Sequence, residues 1–162
     1  MNRRSSPAVD AGLHRLSISA NKSLLWFAVA GAMAMRSGVS RRAAARGLVA
    51  LGVASAANGS LKALLPFRPR PQQLPAFLPW APEYGGSSLP SGHSAAAAAF
   101  ATGVTLVSPA LGAAVIPVAA GVAYSRVHIG AHWPSDVVVG TVIGIGSAVL
   151  TRTWPQDSSL RQ

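Results

Sequence analysis

The 162-residue chain contains no cysteine, which excludes disulfides, thiolate nucleophiles and zinc–thiolate sites and leaves the redox compartment open. Charge is scarce as well. Only 11% of residues are Asp, Glu, Lys or Arg, where a soluble domain carries about a quarter. Lysine is nearly absent, two against twelve arginines, and there are four acidic residues in all. No repeat of solenoid length is visible. What is abundant is apolar: half the residues are hydrophobic and the mean hydropathy is +0.37. The net charge of +10 comes from short basic clusters between apolar runs. Membrane proteins keep Lys and Arg in such places, so we expect membrane lipids and not nucleic acid as partners.

The length suits one domain. We divide it into residues 1–22, an N-terminal tail or interfacial amphipathic helix; 23–152, the membrane domain; and 153–162, a polar C-terminal tail. No apolar core closely follows Arg3 and Arg4, so the first segment does not read as a signal peptide. Ser6-Pro7 has the form of a helix start, with Val9, Leu13 and Leu16 on one face and Asp10, His14 and Arg15 on others. That predicts a short helix lying at the membrane surface. Five apolar segments follow, roughly Ser23–Met35, Ala43–Leu65, Ser94–Val107, Ala110–Ala123 and Val137–Thr151. A bilayer core takes about 20 residues of helix, so most of these need their uncharged flanks to span it. Ser108-Pro109 marks a tight helical hairpin, and Gly140-x-x-x-Gly144 permits close helix contact in lipid. The expected fold is all-α, a multi-pass transmembrane bundle of about five spanning helices plus the N-terminal surface helix. Residues 68–93 are too rich in proline to be a spanning helix. Trp80 and Tyr84 in that loop suit the lipid–water interface or ordinary loop packing.

The densest chemistry is "YSRVHIGAHWPSDV", residues 124–137. Arg126, His128, His132 and Asp136 occur there between two apolar stretches, and three readings compete. The i, i+4, i+8 spacing of His128, His132 and Asp136 would suit a metal on one continuous helix. Pro134 opposes that register, because it disfavours the helical state of Trp133 and reads better as the first residue of a new helix carrying Asp136 in its first turn. Arg126 would also repel a cation, so we assign no metal. A purely structural role is the second reading, and we assign His128 to it. Ionisable groups at the ends of spanning helices are expensive and usually functional, which favours the third reading, a phosphate site.

Phosphate chemistry uses most of these residues together. Following the helices back and forth brings Lys62, Arg68, Arg70, Ser91, His93, Arg126, His132 and Asp136 to one face. "LPSGHS" puts Ser91, Gly92 and His93 at a helix start, where free amides and the dipole favour an anion, and Gly92 lets the backbone approach. Arg126, Lys62 and Arg68 or Arg70 supply donors to phosphate oxygens. His132 supplies a nucleophile, Asp136 can hold its other nitrogen, and His93 can protonate the leaving oxygen.

At these residues the chain resembles the type 2 phosphatidic acid phosphatase (lipid phosphate phosphatase) family. Ser125-Arg126, five residues, His132, three residues, Asp136 matches its third signature, and Pro90-Ser91-Gly92-His93 its second; the resemblance covers roughly residues 20–150. It implies a metal-independent, cofactor-free phosphatase on a helical membrane bundle, with His132 forming a phosphohistidine, His93 as acid and Asp136 orienting His132. Lys62, Ser91, Gly92, Arg126 and a first-motif arginine would hold the phosphate. The first motif departs from the family's Lys, six residues, Arg-Pro. In "KALLPFRPRP" Arg68-Pro69 comes one residue early and Arg70-Pro71 one late. Members with Arg-Pro-Arg-Pro use the second arginine, which assigns Arg70.

A short chain of this kind resembles bacterial enzymes acting on polyprenyl phosphates, such as undecaprenyl diphosphate, or, among small actinobacterial members, on decaprenylphosphoryl-5-phosphoribose. Phosphatidic acid and phosphatidylglycerol phosphate are the alternatives. A soluble haloperoxidase shares such motifs but not this apolarity, and a membrane transporter or scaffold would not need both histidines and Asp136 in register. Setting aside the phosphate ligands, Arg3, Arg4, Arg15 and Lys22 lie on the active face against Arg36, Arg41, Arg42, Arg46, Arg152 and Arg161 opposite, four against six. By the positive-inside rule this favours an extracytoplasmic active site in the bacterial plasma membrane.

Overall fold

The computed structural model describes residues 6–36, 38–71 and 86–153. They form six α-helices and, among the described residues, no strand. The loop carrying Trp80 and Tyr84, residues 1–5 and the tail from 154 onward lie outside them.

Helix α1, Pro7–Ser19, begins where Ser6-Pro7 predicts, with Ser6 as N-cap and Pro7 in the first turn. A 3-10 turn at Asn21–Ser23 leads into α2, Leu24–Ala34. Helix α3, Val39–Leu64, starts about a turn before the apolar segment and so takes Arg41 and Arg42 into its first turns. The chain leaves it at Leu65-Pro66, where proline cannot continue a helix. Helix α4, Gly92–Val107, has Ser91 as N-cap, and Ser108 then caps α5, Pro109–His128, across the hairpin break. Helix α6 is Pro134–Leu150. Helix α5 outruns its apolar segment because Ser125 and Arg126 point inward and are buried, so the helix continues past the point where hydropathy falls.

The five predicted apolar segments therefore all appear as helices. Two, α3 with 26 residues and α5 with 20, are long and apolar enough to cross a bilayer. At about 1.5 Å per residue they measure about 39 and 30 Å against a hydrocarbon core of about 30 Å. Helices α2, α4 and α6 are shorter apolar helices.

Helix α4 is central and packs on α3, α5 and α6, with α2 against α3 and α1 against α5. The core is small-residue packing around a few large side chains. Trp26 and Phe100 are fully buried with ring centroids 5.2 Å apart, and Val104 and Val122 lie in the same cluster. Lipid tails are as apolar as these side chains, so close van der Waals contact holds such helices together, not removal from water. The Gly140–Gly144 pair serves that contact. A methyl at Gly140 would overlap the Ser91 carbonyl oxygen, and one at Gly144 the Ala95 carbonyl oxygen. Helix α6 thus rides on the backbone of the first turn of α4. The alternation of helices brings the end of α3, the start of α4, and the α5–α6 connection to one end of the bundle.

Candidate active site

The α5–α6 connection is built by the residues that interrupt the helix. Helix α5 stops at His128, and Gly130 turns the chain with φ of +69°. The His132 amide then donates back to the Arg126 carbonyl (3.0 Å). Pro134 opens α6, and the Asp136 carboxylate accepts the Trp133 amide at 2.9 Å, closing the first turn. His128, His132 and Asp136 consequently do not share one helical face.

His132 is buried, 3% exposed, and its Nδ1 lies 2.7 Å from the Ser88 carbonyl oxygen. A carbonyl can only accept, so Nδ1 carries the hydrogen and Nε2 presents its lone pair. That lone pair faces the Arg70 guanidinium, with Nη1 at 3.3 Å. Burial, then the positive charges of Arg126 and Arg70 and the smaller effect of Lys62, push the imidazole pKa down to about 3, against the opposing pull of the Ser88 bond. The ring is held neutral, as a nucleophile must be.

The orienting partner differs from the one expected. Asp136 Oδ2 is 3.8 Å from His132 Nδ1, beyond hydrogen-bond range, and Ser88 takes its place. The fully buried Asp136 carboxylate is occupied instead by the Trp133 amide and by Arg68, whose Nη1 donates to Oδ1 at 2.7 Å. Arg68 also donates to the Ser135 hydroxyl at 2.9 Å and stacks over Trp133. Its guanidinium therefore does not lie as a free phosphate donor. Arg70 donates to the Ala131 carbonyl at 2.7 Å, next to His132 in the chain. The one-residue slip in the first motif is absorbed where 68–70 run beside 87–88. There the Ser88 amide donates to the Arg68 carbonyl (2.9 Å) and the Ser88 hydroxyl to the Pro69 carbonyl (3.2 Å).

The second cluster opens α4. Ser91 is fully buried, its hydroxyl 3.0 Å from that of Ser94 and its amide donating to the Asp136 carbonyl at 3.1 Å. Ser91 is thus an N-cap engaged within the protein, which leaves the amides of Gly92 and His93 as the helix-start donors. His93 lies within the electrostatic reach of Arg126, Lys62 and Arg70 and of the His132 ring, which brings the two histidines and three cations into one cluster. Arg126 is 1% exposed and donates to the Ser17 hydroxyl on α1. His128, assigned to structure, pairs with Asp10 of α1 at 2.7 Å.

Four participants had no signal in the sequence: Ser88 acts through a backbone carbonyl, while Asp10, Ser17 and Asn21 act from a segment more than 70 residues away from their partners. The sequence predicts α1 at the membrane surface, whereas it packs on α5 and so brings Asp10 and Ser17 to the bundle.

A stretch of 76 residues is 37% identical to a protein named lipid A 1-phosphatase from Rhizobium johnstonii and, equally, to one so named from Rhizobium etli. These matches cover 47% of this chain but 31% and 33% of those proteins, so the chain spans about a third of the length of the curated relatives it matches. Among solved structures, the crystal structure of Aquifex aeolicus LpxE superposes with a TM-score of 0.75 at 22% identity, over 94% of this chain and 90% of that one. That of a transmembrane PAP2-type phosphatidylglycerolphosphate phosphatase from Bacillus subtilis gives 0.66 at 23% identity, over 91% and 77%. The sequence pattern of the PAP2 superfamily matches residues 43–160, which contain both histidines, Asp136 and every basic residue of the cluster. By that match the chain belongs to the PAP2 superfamily.

Proposed function

We propose that this protein is an integral membrane phosphatase that hydrolyses a lipid phosphomonoester or diphosphate through a phosphohistidine. The observation that carries the reading is the set of three cations, Lys62, Arg70 and Arg126, around two histidines, one of which turns a lone pair towards Arg70. Among the described residues, the carboxylate at this cluster, Asp136, is paired with Arg68. The positive charge of such a cluster favours a phosphate dianion, and a phosphate brought there meets His132 Nε2. The N–P bond forms as the P–O ester bond breaks, and the departing oxygen takes a proton from His93. Water, deprotonated by the now neutral His93, then attacks phosphorus, breaks the N–P bond and releases inorganic phosphate. Charge on the transferring oxygens is met by fixed donors from Arg70, Arg126, Lys62 and the Gly92 and His93 amides.

On this reading no metal takes part. The finer substrate is polyprenyl-linked, such as undecaprenyl diphosphate or decaprenylphosphoryl-5-phosphoribose, and the bundle is multi-pass with its active end extracytoplasmic. The test is phosphate release by the detergent-purified protein, with EDTA in excess. The panel comprises the two polyprenyl substrates, phosphatidic acid, phosphatidylglycerol phosphate and, because two relatives bear its name, lipid A. Turnover should survive the chelator, and vanadate should inhibit, since its trigonal-bipyramidal form mimics the transferring phosphoryl group. Activity abolished by EDTA and restored by zinc or magnesium refutes the mechanism; preference for a glycerolipid overturns the polyprenyl assignment alone.

A further inference from the structure

Two side chains reach the site from a segment that precedes the family match at residue 43. Ser17 on α1 is 1% exposed and accepts from Arg126. Asn21, which opens the following 3-10 turn, brings its Oδ1 to 3.0 Å from Nε2 of His93. Buried Ala20 lies between them, and Leu16 packs against Gly121 of α5, so the segment is docked on the bundle. We infer that Asn21 is a positioning residue that fixes which nitrogen of His93 handles the proton; this rests on the phosphohistidine reading above.

An imidazole ring has a broad, roughly two-fold torsion about χ2, so nothing intrinsic chooses between its two nitrogens. The amide oxygen of Asn21 can only accept, so Nε2 keeps its hydrogen and Nδ1 remains to exchange one. In the first step His132 Nε2 bonds to phosphorus, the ester oxygen leaves with its electron pair, and His93, protonated once the bound phosphate offsets the surrounding cations, gives its Nδ1 proton to that oxygen. In the second step Nδ1 takes a proton from water. A neutral acceptor also suits an acid that must give its proton up, because a carboxylate in that place would stabilise the imidazolium.

The leaving group separates positioning from mere structure. An alkoxide needs a proton as it departs; a nitrophenolate does not. The full chain, purified in detergent, is assayed with dioleoyl phosphatidic acid and with p-nitrophenyl phosphate. Asn21→Leu should lose about 10- to 100-fold in kcat on phosphatidic acid, part of the 10² to 10⁴ a general acid supplies, with KM little changed. On p-nitrophenyl phosphate it should lose less than about threefold, because no acid is needed there. Asn21→Asp, which keeps an acceptor but holds the imidazolium more firmly, should recover part of the loss on phosphatidic acid and stay below wild type. Asn21→Ser, which keeps the turn polar but draws the acceptor back one bond from His93, should behave like Asn21→Leu and serves if the leucine variant does not fold. Unchanged vanadate inhibition shows that the phosphate site is intact. Equal losses on both substrates, no loss on either, or an aspartate variant no better than leucine overturns the inference. A wild type that forms no phosphohistidine on either substrate instead sinks the underlying reading.

Discussion

Removing Arg70 and removing Arg68 should damage different properties of the protein, although the two residues are one apart. Arg70 faces the His132 lone pair, so on the phosphohistidine reading it stands beside the attacked phosphorus. A preorganised donor to a developing oxyanion is worth about 10² to 10³ in turnover, or about 2.7–4 kcal/mol of barrier. Arg70→Ala should lose that much in kcat, and Arg70→Lys should recover little because the planar fork is gone. Arg68 instead neutralises buried Asp136 at 2.7 Å. A hydrogen bond between charged groups contributes about 1.5–3 kcal/mol. With the Arg68 side chain 37% exposed, solvent screening reduces that to about 1 kcal/mol. Asp136 retains the Trp133 amide, so α6 still starts in place. Arg68→Ala should therefore lower the melting temperature in detergent by roughly 2–4 °C, the size expected for a chain of this length. Its turnover should stay within about tenfold of wild type, since it touches the nucleophile only through Asp136. The assay pairs single-turnover phosphoenzyme formation with thermal unfolding of the same preparations. If folded Arg68→Ala loses more turnover than folded Arg70→Ala, the assignment of the two arginines is reversed.

His132→Ala should abolish the trapped phosphoenzyme, whereas His93→Ala should slow cleavage by about 10² to 10⁴ and His128→Ala should keep most activity; an essential His128 would contradict its role as the partner of Asp10. Because folding depresses the His132 pKa from 6.5 to about 3, the unfolded chain binds the extra proton between those values. Stability should therefore fall as pH drops from 6.5 towards 3, while kcat/KM, after allowance for substrate ionisation, should show no acid limb near 6.5; such a limb counts against a neutral buried nucleophile. Gly140→Ala should cost about 1–3 kcal/mol by overpacking against the Ser91 carbonyl and reduce turnover, whereas Gly146→Ala, with open space around it, should do neither. In the cysteine-free chain, Leu64→Cys at the active end should react with an impermeant maleimide from outside the cell and Met35→Cys should not, both positions being exposed; the opposite pattern inverts the topology.

The helices were legible wherever apolar runs met a capping residue. Ser108-Pro109 and Pro134 with Asp136 set their boundaries to the residue, because cap chemistry is local. The start of α3 and the end of α5 were missed by about a turn, since both continue into charged residues that hydropathy alone excludes. In the site, the meeting of His93 with His132 followed from counting helix traversals. The division of labour between Arg68 and Arg70 did not, because it depends on how 68–70 pair with 87–88 across a loop. The choice of Ser88 over Asp136 as the imidazole partner was also hidden. Asp136 has the spacing, but its carboxylate is drawn away by the helix start it caps and by Arg68.

That choice bears on how the catalytic centre responds to mutation. Every residue has a main-chain carbonyl, so no single codon change can delete the acceptor that sets the His132 tautomer. Alanine at 88 would remove the hydroxyl bonded to the Pro69 carbonyl but leave the acceptor that serves His132 in place. Replacing Leu89 by its α-hydroxy acid, which turns the Ser88 carbonyl into a weaker ester acceptor, would expose the dependence. What must be kept is the backbone path of the 86–89 turn, which the buried Ser87 and Ser88 hydroxyls tie to residues 68 and 69.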